Sequence, residues 1–221
     1  MTQLKPIRKE GLGLHVCCAP CLSRSLAAAR SRKANTPPVG GLFFYNPNIH
    51  PLLEFRRRVK ALRIYLERNP FEAEIDGEYG LAPWLAGMTA GGGLPKSRRD
   101  RCRRCYLLRL TRAAGKFRAL GYGEFSTTLL ASGEQDLDLI ADAGRDAGAR
   151  LGIGFVVADF KSGVPGEKDL KGIYRQQYCG CVFSEEERYR NTNTHLYPLP
   201  EKPGKPERQA TDDITDGCFD G

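Results

Sequence analysis

The sequence predicts an α/β fold, a parallel sheet sandwiched in three layers. Short apolar runs rich in β-branched and aromatic residues alternate with segments of helical period. Residues that carry chemistry cluster where those runs end, as expected beyond the carboxyl ends of parallel strands. With 221 residues, the chain suits one moderate domain with a core ample enough to fold without disulfides.

Leu12 to Cys17 reads as a short buried strand, followed by a turn containing Pro20 and a helix over 23–32. Val39 to Tyr45 is a second strand, closed by Asn46-Pro47-Asn48. The apolar stripe of Leu53, Val59, Leu62, Ile64 and Tyr65 predicts a helix over 52–68. A strand over 72–75 and a short helix over 81–86 follow, then a loop at Gly91-Gly92-Gly93. Arg101 to Leu120 is helical, 124–130 a strand, 136–151 a helix, and 153–157 a last strand ending at Asp159. From Glu185 the chain turns polar, punctuated by Pro198, Pro200, Pro203 and Pro206. The expected division is a catalytic domain at 1–184 and a Pro-containing extension at 185–221.

The formal net charge is +8, concentrated in Arg56-Arg57-Arg58 and in a run from Lys96 to Arg104. Such runs are commonly solvated surface, but the second surrounds a cysteine pair, and positive charge there suits a polyanion such as RNA. No stretch resembles a signal peptide or approaches a membrane span, so a reducing, cytoplasmic setting is expected. There, clustered thiols serve metals or catalysis more often than structural bridges.

Seven of the eight cysteines form three tight groups: Cys17, Cys18 and Cys21; Cys102 and Cys105; Cys179 and Cys181. Cys102-x-x-Cys105 is placed at a helix start, where free N–H groups and flanking arginines favour thiolate. Cys18-x-x-Cys21 offers a second pairing at a strand end. Four thiolates satisfy either zinc or a [4Fe–4S] cluster, and spacing does not choose between them. Cys179-Gly180-Cys181 suits a strained, reducible disulfide, with metal ligation and inert burial as alternatives. His15 reads as a satisfied core histidine. His50 is either a cap or a proton donor, and Asp159 either a cap, a metal ligand or a proton source. Neither GxxxxGK[ST] nor GxGxxG is present, and Cys-Cys-Ala-Pro-Cys follows the first strand where a nucleotide-binding loop would lie.

His15-Val16-Cys17-Cys18-Ala19-Pro20-Cys21, Phe44 to Pro51, Arg101-Cys102-x-x-Cys105-Tyr106-x-x-Arg109-Leu110, Phe125 to Leu130 and Tyr174 to Ser184 occur in order. Together they resemble the epoxyqueuosine reductases of the QueH type over about residues 12–184. The resemblance implies a fold similar to the adenine-nucleotide α-hydrolase (HUP) group. It also implies two-electron reduction of the epoxide of epoxyqueuosine in a tRNA anticodon loop, giving queuosine, with electrons from an unidentified donor. By position, Cys17, Cys18, Cys102 and Cys105 would hold a [4Fe–4S] cluster, with a second iron left open, and Cys179 and Cys181 would form the redox-active pair. Asp159, Tyr45 and His50 are the proton-donor candidates. Tyr45, Asn46 and His50 together with Lys96, Arg98 and Arg99 are the candidate substrate contacts. Ala131 to Leu137 departs from the family, which carries Ser-Pro-Tyr and a histidine there, and the tail with Cys218 has no counterpart. An iron–sulfur tRNA-thiolating enzyme and a zinc-stabilised RNA-binding module are the rival readings. The first would need an ATP loop that the chain lacks.

Overall fold

A computed structural model of the chain describes residues 9–31 and 34–190. Its strands are β1 (Leu12–Val16), β2 (Val39–Phe44), β3 (Ala73–Ile75), β4 (Glu124–Thr127) and β5 (Gly154–Phe155). Its helices are α1 (Ala19–Arg30), α2 (Leu52–Arg68), α3 (Leu81–Thr89), α4 (Arg98–Ala119), α5 (Leu137–Leu151), α6 (Glu167–Leu170) and α7 (Val182–Tyr189). Two 3₁₀ turns cover Thr128–Ala131 and Phe160–Ser162.

All strand pairings are parallel, in the order β3-β2-β1-β4-β5, and helices flank the sheet in a three-layer α/β fold. The chain builds outward from β1 to β3, then returns to lay β4 against the other side of β1. That reversal opens a crevice at the carboxyl ends of β1 and β4, the usual place for a site in such sheets. Leu12, Leu14, Val16, Phe43, Phe44 and Phe125 are buried in one continuous core. At Gly13 the packing is so close that a Cβ would lie 2.4 Å from the Phe117 ring of α4. The two elements meet there without a side chain between them.

Several boundaries differ from expectation for local chemical reasons. Helix α1 begins at Ala19 rather than residue 23, because Cys18 caps it and Pro20 falls in its first turn, where a missing N–H costs nothing. Helix α4 begins at Arg98, three residues before the expected start. Ser97 accepts the Asp100 N–H at 3.0 Å and so caps it early. The strand expected to reach residue 130 stops at Thr127, whose hydroxyl accepts the Leu129 N–H and turns the chain. The last strand shrinks to Gly154–Phe155. Helix α7 runs across the boundary drawn at residue 184. Pro198, Pro200, Pro203, Pro206 and Cys218 lie outside the described residues.

A candidate thiol-lined active site

The crevice is organised around His15 and Cys17. The His15 ring is fully buried, with Nε2 3.0 Å from the Tyr45 carbonyl and Nδ1 2.8 Å from Thr127 Oγ1. A carbonyl can only accept, so Nε2 carries the proton and Nδ1 accepts from the hydroxyl. Burial, followed by the Arg109 charge, lowers its pKa to about 4, so the ring stays neutral. It is a core histidine, joining the ends of β1, β2 and β4. Asn46, also buried, donates to the Val16 carbonyl at 2.8 Å and accepts from Arg109.

On this frame Cys17, Cys18 and Cys21 gather with their sulfurs within 4.8 Å of one another. Among the described residues this is the one group of three or more His, Cys, Asp or Glu donors so close. The Thr128 hydroxyl receives the Cys17 N–H at 2.9 Å and reaches the Cys17 sulfur at 3.1 Å. As the cap of α1, Cys18 accepts the Cys21 N–H at 3.4 Å, and Gln176 Nε2 donates to its sulfur at 2.7 Å. Donation from Cys18 and Cys21 holds the Cys17 thiol well below its ordinary range. Burial pushes Cys18 up to about 12, and the hydrogen bond to Cys17 raises Cys21 well above the usual thiol. The three sulfurs thus share one thiolate, a soft donor set that fits a thiolate-ligated zinc or iron–sulfur centre.

The other two cysteine groups meet elsewhere. Cys102, Cys105, Cys179 and Cys181 line a cavity of about 780 Å³, with Trp84 and Tyr106 among its walls. A smaller cavity of about 220 Å³ is lined by Cys17 and Cys21 and shares Cys179, Tyr178 and Gln177 with the larger one. Cys179 therefore faces both. Of the four cysteines expected from the resemblance, Cys17 and Cys18 gather with Cys21, and Cys102 and Cys105 line the larger, adjoining cavity together with Cys179 and Cys181.

Cys102 and Cys105 are also not at a helix start. The early cap at Ser97 puts them at the fifth and eighth positions of α4, past its free N–H groups. Their thiols are correspondingly not activated. Burial raises Cys102, and burial pushes Cys105 up to about 11.

The Cys179–Cys181 pair behaves differently. Both thiols are free, with sulfurs 3.6 Å apart. Cys181 caps α7, accepting the Ser184 N–H at 3.4 Å, and the Ser184 hydroxyl lies 2.9 Å from the Cys179 sulfur. Donation from Cys181 lowers Cys179 to about 6, while the same bond raises Cys181 far above the usual thiol. One member is therefore a thiolate near neutral pH and the other a thiol.

Of the remaining expected residues, Arg98 and Arg99 line the larger cavity, Arg98 paired with Glu187 at 3.4 Å and Arg99 with Asp136 at 3.0 Å. They stand on the first turn of α4. Lys96 is exposed and lies outside both cavities. His50 hydrogen-bonds Tyr79 at 2.8 Å through Nδ1, packs on Trp84, and receives the Tyr178 hydroxyl on its carbonyl at 2.8 Å. Tyr45 stacks on Phe43 beneath Arg112 and does not line either cavity. Asp159 is exposed, caps the Phe160–Ser162 turn by accepting the Ser162 N–H at 3.2 Å, and lies outside both cavities.

Sequence reasoning left Cys21 without a fixed role and assigned none to Gln176 or Arg109. Arg109 is buried and lines the larger cavity, and its charge favours thiolate at Cys17, Cys105 and Cys179. Its signal was its spacing from Cys102 and Cys105, which puts all three along one side of a helix.

The model of the family described as "Epoxyqueuosine reductase QueH" matches residues 12–187. A relative of that name from Thermotoga maritima is 35% identical over 184 residues, covering 79% of this chain and 90% of its own. One from Dehalococcoides mccartyi is 30% identical over 184 residues, covering 82% and 96%. One from Helicobacter pylori is 32% identical over 200 residues, covering 84% of this chain and 52% of its own.

Proposed function

The chain belongs to the epoxyqueuosine reductase QueH family and is an oxidoreductase, and from that premise we propose that it reduces the epoxide of epoxyqueuosine in a tRNA anticodon loop to queuosine, in the cytoplasm. No helix among the described residues is long and apolar enough to cross a membrane. The observation that carries the reading is the position of Cys179, a low-pKa thiol facing both the thiol triad and the larger cavity.

The electron balance fits a dithiol. Removing the epoxide oxygen as water takes two electrons and two protons, and leaves a carbon–carbon double bond. Oxidation of the Cys179 thiolate and the Cys181 thiol to a disulfide releases two electrons and one proton, and solvent supplies the second proton. A two-electron reductant from outside the chain then restores the dithiol. The larger cavity, walled by Trp84, Tyr106, Tyr178 and Phe183, has the stacking surfaces that take up a splayed-out base, and Arg98, Arg99 and Arg188 at its margin match flanking phosphates.

Cys17, Cys18 and Cys21 fit a thiolate-ligated centre, and Cys102 and Cys105 are the candidates to complete a [4Fe–4S] set. Such a centre, when bound, would supply low-potential electrons and Lewis acidity beside the oxygen. The chain's own part is to hold Cys17 as thiolate, to keep His15 neutral beneath it, and to exclude water with the aromatic wall.

The test is anaerobic purification with iron and sulfide quantitation, followed by turnover of epoxyqueuosine-containing tRNA. Stoichiometric iron and sulfide with formation of queuosine would support the reading. Zinc alone, with no turnover, would overturn it in favour of an RNA-binding module.

A further inference from the structure

Residues 171–181 carry the Cys179–Cys181 pair through a stretch with neither helix nor strand, so the loop's backbone groups must find partners elsewhere. Two of its carbonyls find them on Arg58. Although it closes a run of three arginines that reads as solvated surface, Arg58 is only 3% exposed. Its Nε donates to Glu54 Oε1 at 2.7 Å, one turn back on α2. Nη1 donates to the Cys179 carbonyl and Nη2 to the Tyr178 carbonyl, each at 3.0 Å. Glu54 is fixed from its other side by the Tyr174 hydroxyl, which donates to Oε2 at 2.6 Å. Arg58, seated on Glu54 and through it on Tyr174, therefore grips the carbonyls of Tyr178 and Cys179.

The next residue is equally constrained. The Gly180 carbonyl accepts the His50 N–H at 2.7 Å. Its φ is +110°, and a Cβ there would lie 2.9 Å from Ile49 Cγ1 and 3.1 Å from Arg58 Nη1. In a Cys-x-Cys pair the sulfurs meet only if the two intervening peptide planes are turned correctly, because the Cα separation is at the edge of disulfide geometry. The Arg58 fork holds the carbonyls of residues 178 and 179, and the His50 N–H holds that of residue 180.

We propose that Arg58, seated on Glu54 and Tyr174, is the positioning residue for the Cys179–Cys181 pair, fixing its peptide planes and so setting the pair's thiol–disulfide equilibrium. The role rests on the reading that this pair cycles between dithiol and disulfide. A lysine keeps the charge against Glu54 but cannot span two successive carbonyls with a planar fork.

The test compares the full chain with Arg58→Lys and Tyr174→Phe, all purified anaerobically. The pair is equilibrated in glutathione buffers, where glutathione disulfide takes two electrons and two protons from the thiols and becomes two glutathione molecules. Bridged and alkylated peptides are then counted by mass spectrometry. Arg58→Lys should shift the equilibrium at least tenfold, about 30 mV for this two-electron couple. It should lower kcat by a similar factor, with KM for tRNA and iron content within twofold of the parent. Tyr174→Phe removes one hydroxyl from a half-buried ring, so it retains the fold and should shift the equilibrium in the same direction by less. An unchanged midpoint in both variants would overturn the proposal, as would a KM effect alone, which would mark Arg58 as a phosphate contact. A Cys179→Ser, Cys181→Ser double variant with full turnover would instead sink the redox reading of the pair. The midpoint shift would still report whether Arg58 positions it.

Discussion

The two thiol groups that face the smaller cavity are built in opposite ways. Cys17, Cys18 and Cys21 sit on regular structure: a strand end, a helix cap and the first turn of α1, all packed on the main core. Cys179 sits on irregular chain and Cys181 caps α7, and the backbone of residues 178–180 is held by side chains and N–H groups of α2 and the 46–51 segment. A donor set anchored by regular structure is suited to holding a centre in one geometry. A pair whose backbone is tied by a few discrete hydrogen bonds can move its sulfurs between 3.6 Å and bond length without disturbing the sheet. On the proposed function, the difference would separate a holding site from a reacting one within a single crevice.

The strongest way to break that comparison is Cys179→Ser. It should lower turnover by at least about 10²-fold, the scale set by a positioned proton-transfer or nucleophilic group, while iron content stays at the parent level. Iron loss in this variant would make Cys179 a ligand and erase the distinction.

Next in size is Cys21→Ala, compared with Cys102→Ala by iron analysis. The close packing of the triad leads us to expect that loss of Cys21 removes most of the iron. If Cys21→Ala retains its iron and Cys102→Ala loses it, the ligand set follows the family resemblance and not the observed triad.

The comparison sharpens with pH. Since the Cys179 pKa is lowered, to about 6, its reactive thiolate is present above that value and lost below it. Iodoacetamide labelling of Cys179 in the reduced protein should therefore rise through pH ~6, whereas Cys102, raised by burial, should stay inert until well into the alkaline range. Labelling of Cys179 that rises only near pH ~9, the range of an ordinary thiol, would contradict the asymmetry of the pair.

Gly180→Ala should destabilise the fold by roughly 1–3 kcal/mol, the cost of a strained left-handed residue, as read by chemical denaturation. The matching replacement at Gly91, also at positive φ but with nothing within 4 Å of a Cβ, should cost less, because only the conformational strain remains.

The smallest expected effect is at the rim. Charge reversal at Arg98 and Arg99, with Lys96, should raise KM for tRNA and flatten its salt dependence by roughly 0.7–0.9 in slope for each phosphate no longer neutralised. Iron content should not change. An unaltered slope would leave these residues to their partners Glu187 and Asp136, and would direct attention to exposed Arg56 and Arg57 on α2.

The sequence by itself determined the parallel three-layer fold, because alternating strand and helix periods leave few other ways to bury both kinds of apolar face. It also determined the family, through five ordered motifs, and the bounds of α2, whose apolar stripe ends where its period ends. Helix starts were less legible: Ser97 and Cys18 are single capping residues, and such signals are easily outweighed by neighbouring Pro or charged residues. Only the tertiary structure decided which cysteines share space. Grouping along the chain already put Cys17, Cys18 and Cys21 together, and the resemblance added Cys102 and Cys105 to the first two, but only the fold places Cys102 and Cys105 around one cavity with Cys179 and Cys181. It likewise took Arg58 out of a basic run and placed it against the backbone of the Cys179–Cys181 segment, and it placed Asp159 at an exposed cap. The physical reason is common to all three. Periodicity reports which face of an element is buried, whereas contacts between residues 120 positions apart depend on where the sheet reverses and how irregular backbone finds its hydrogen bonds.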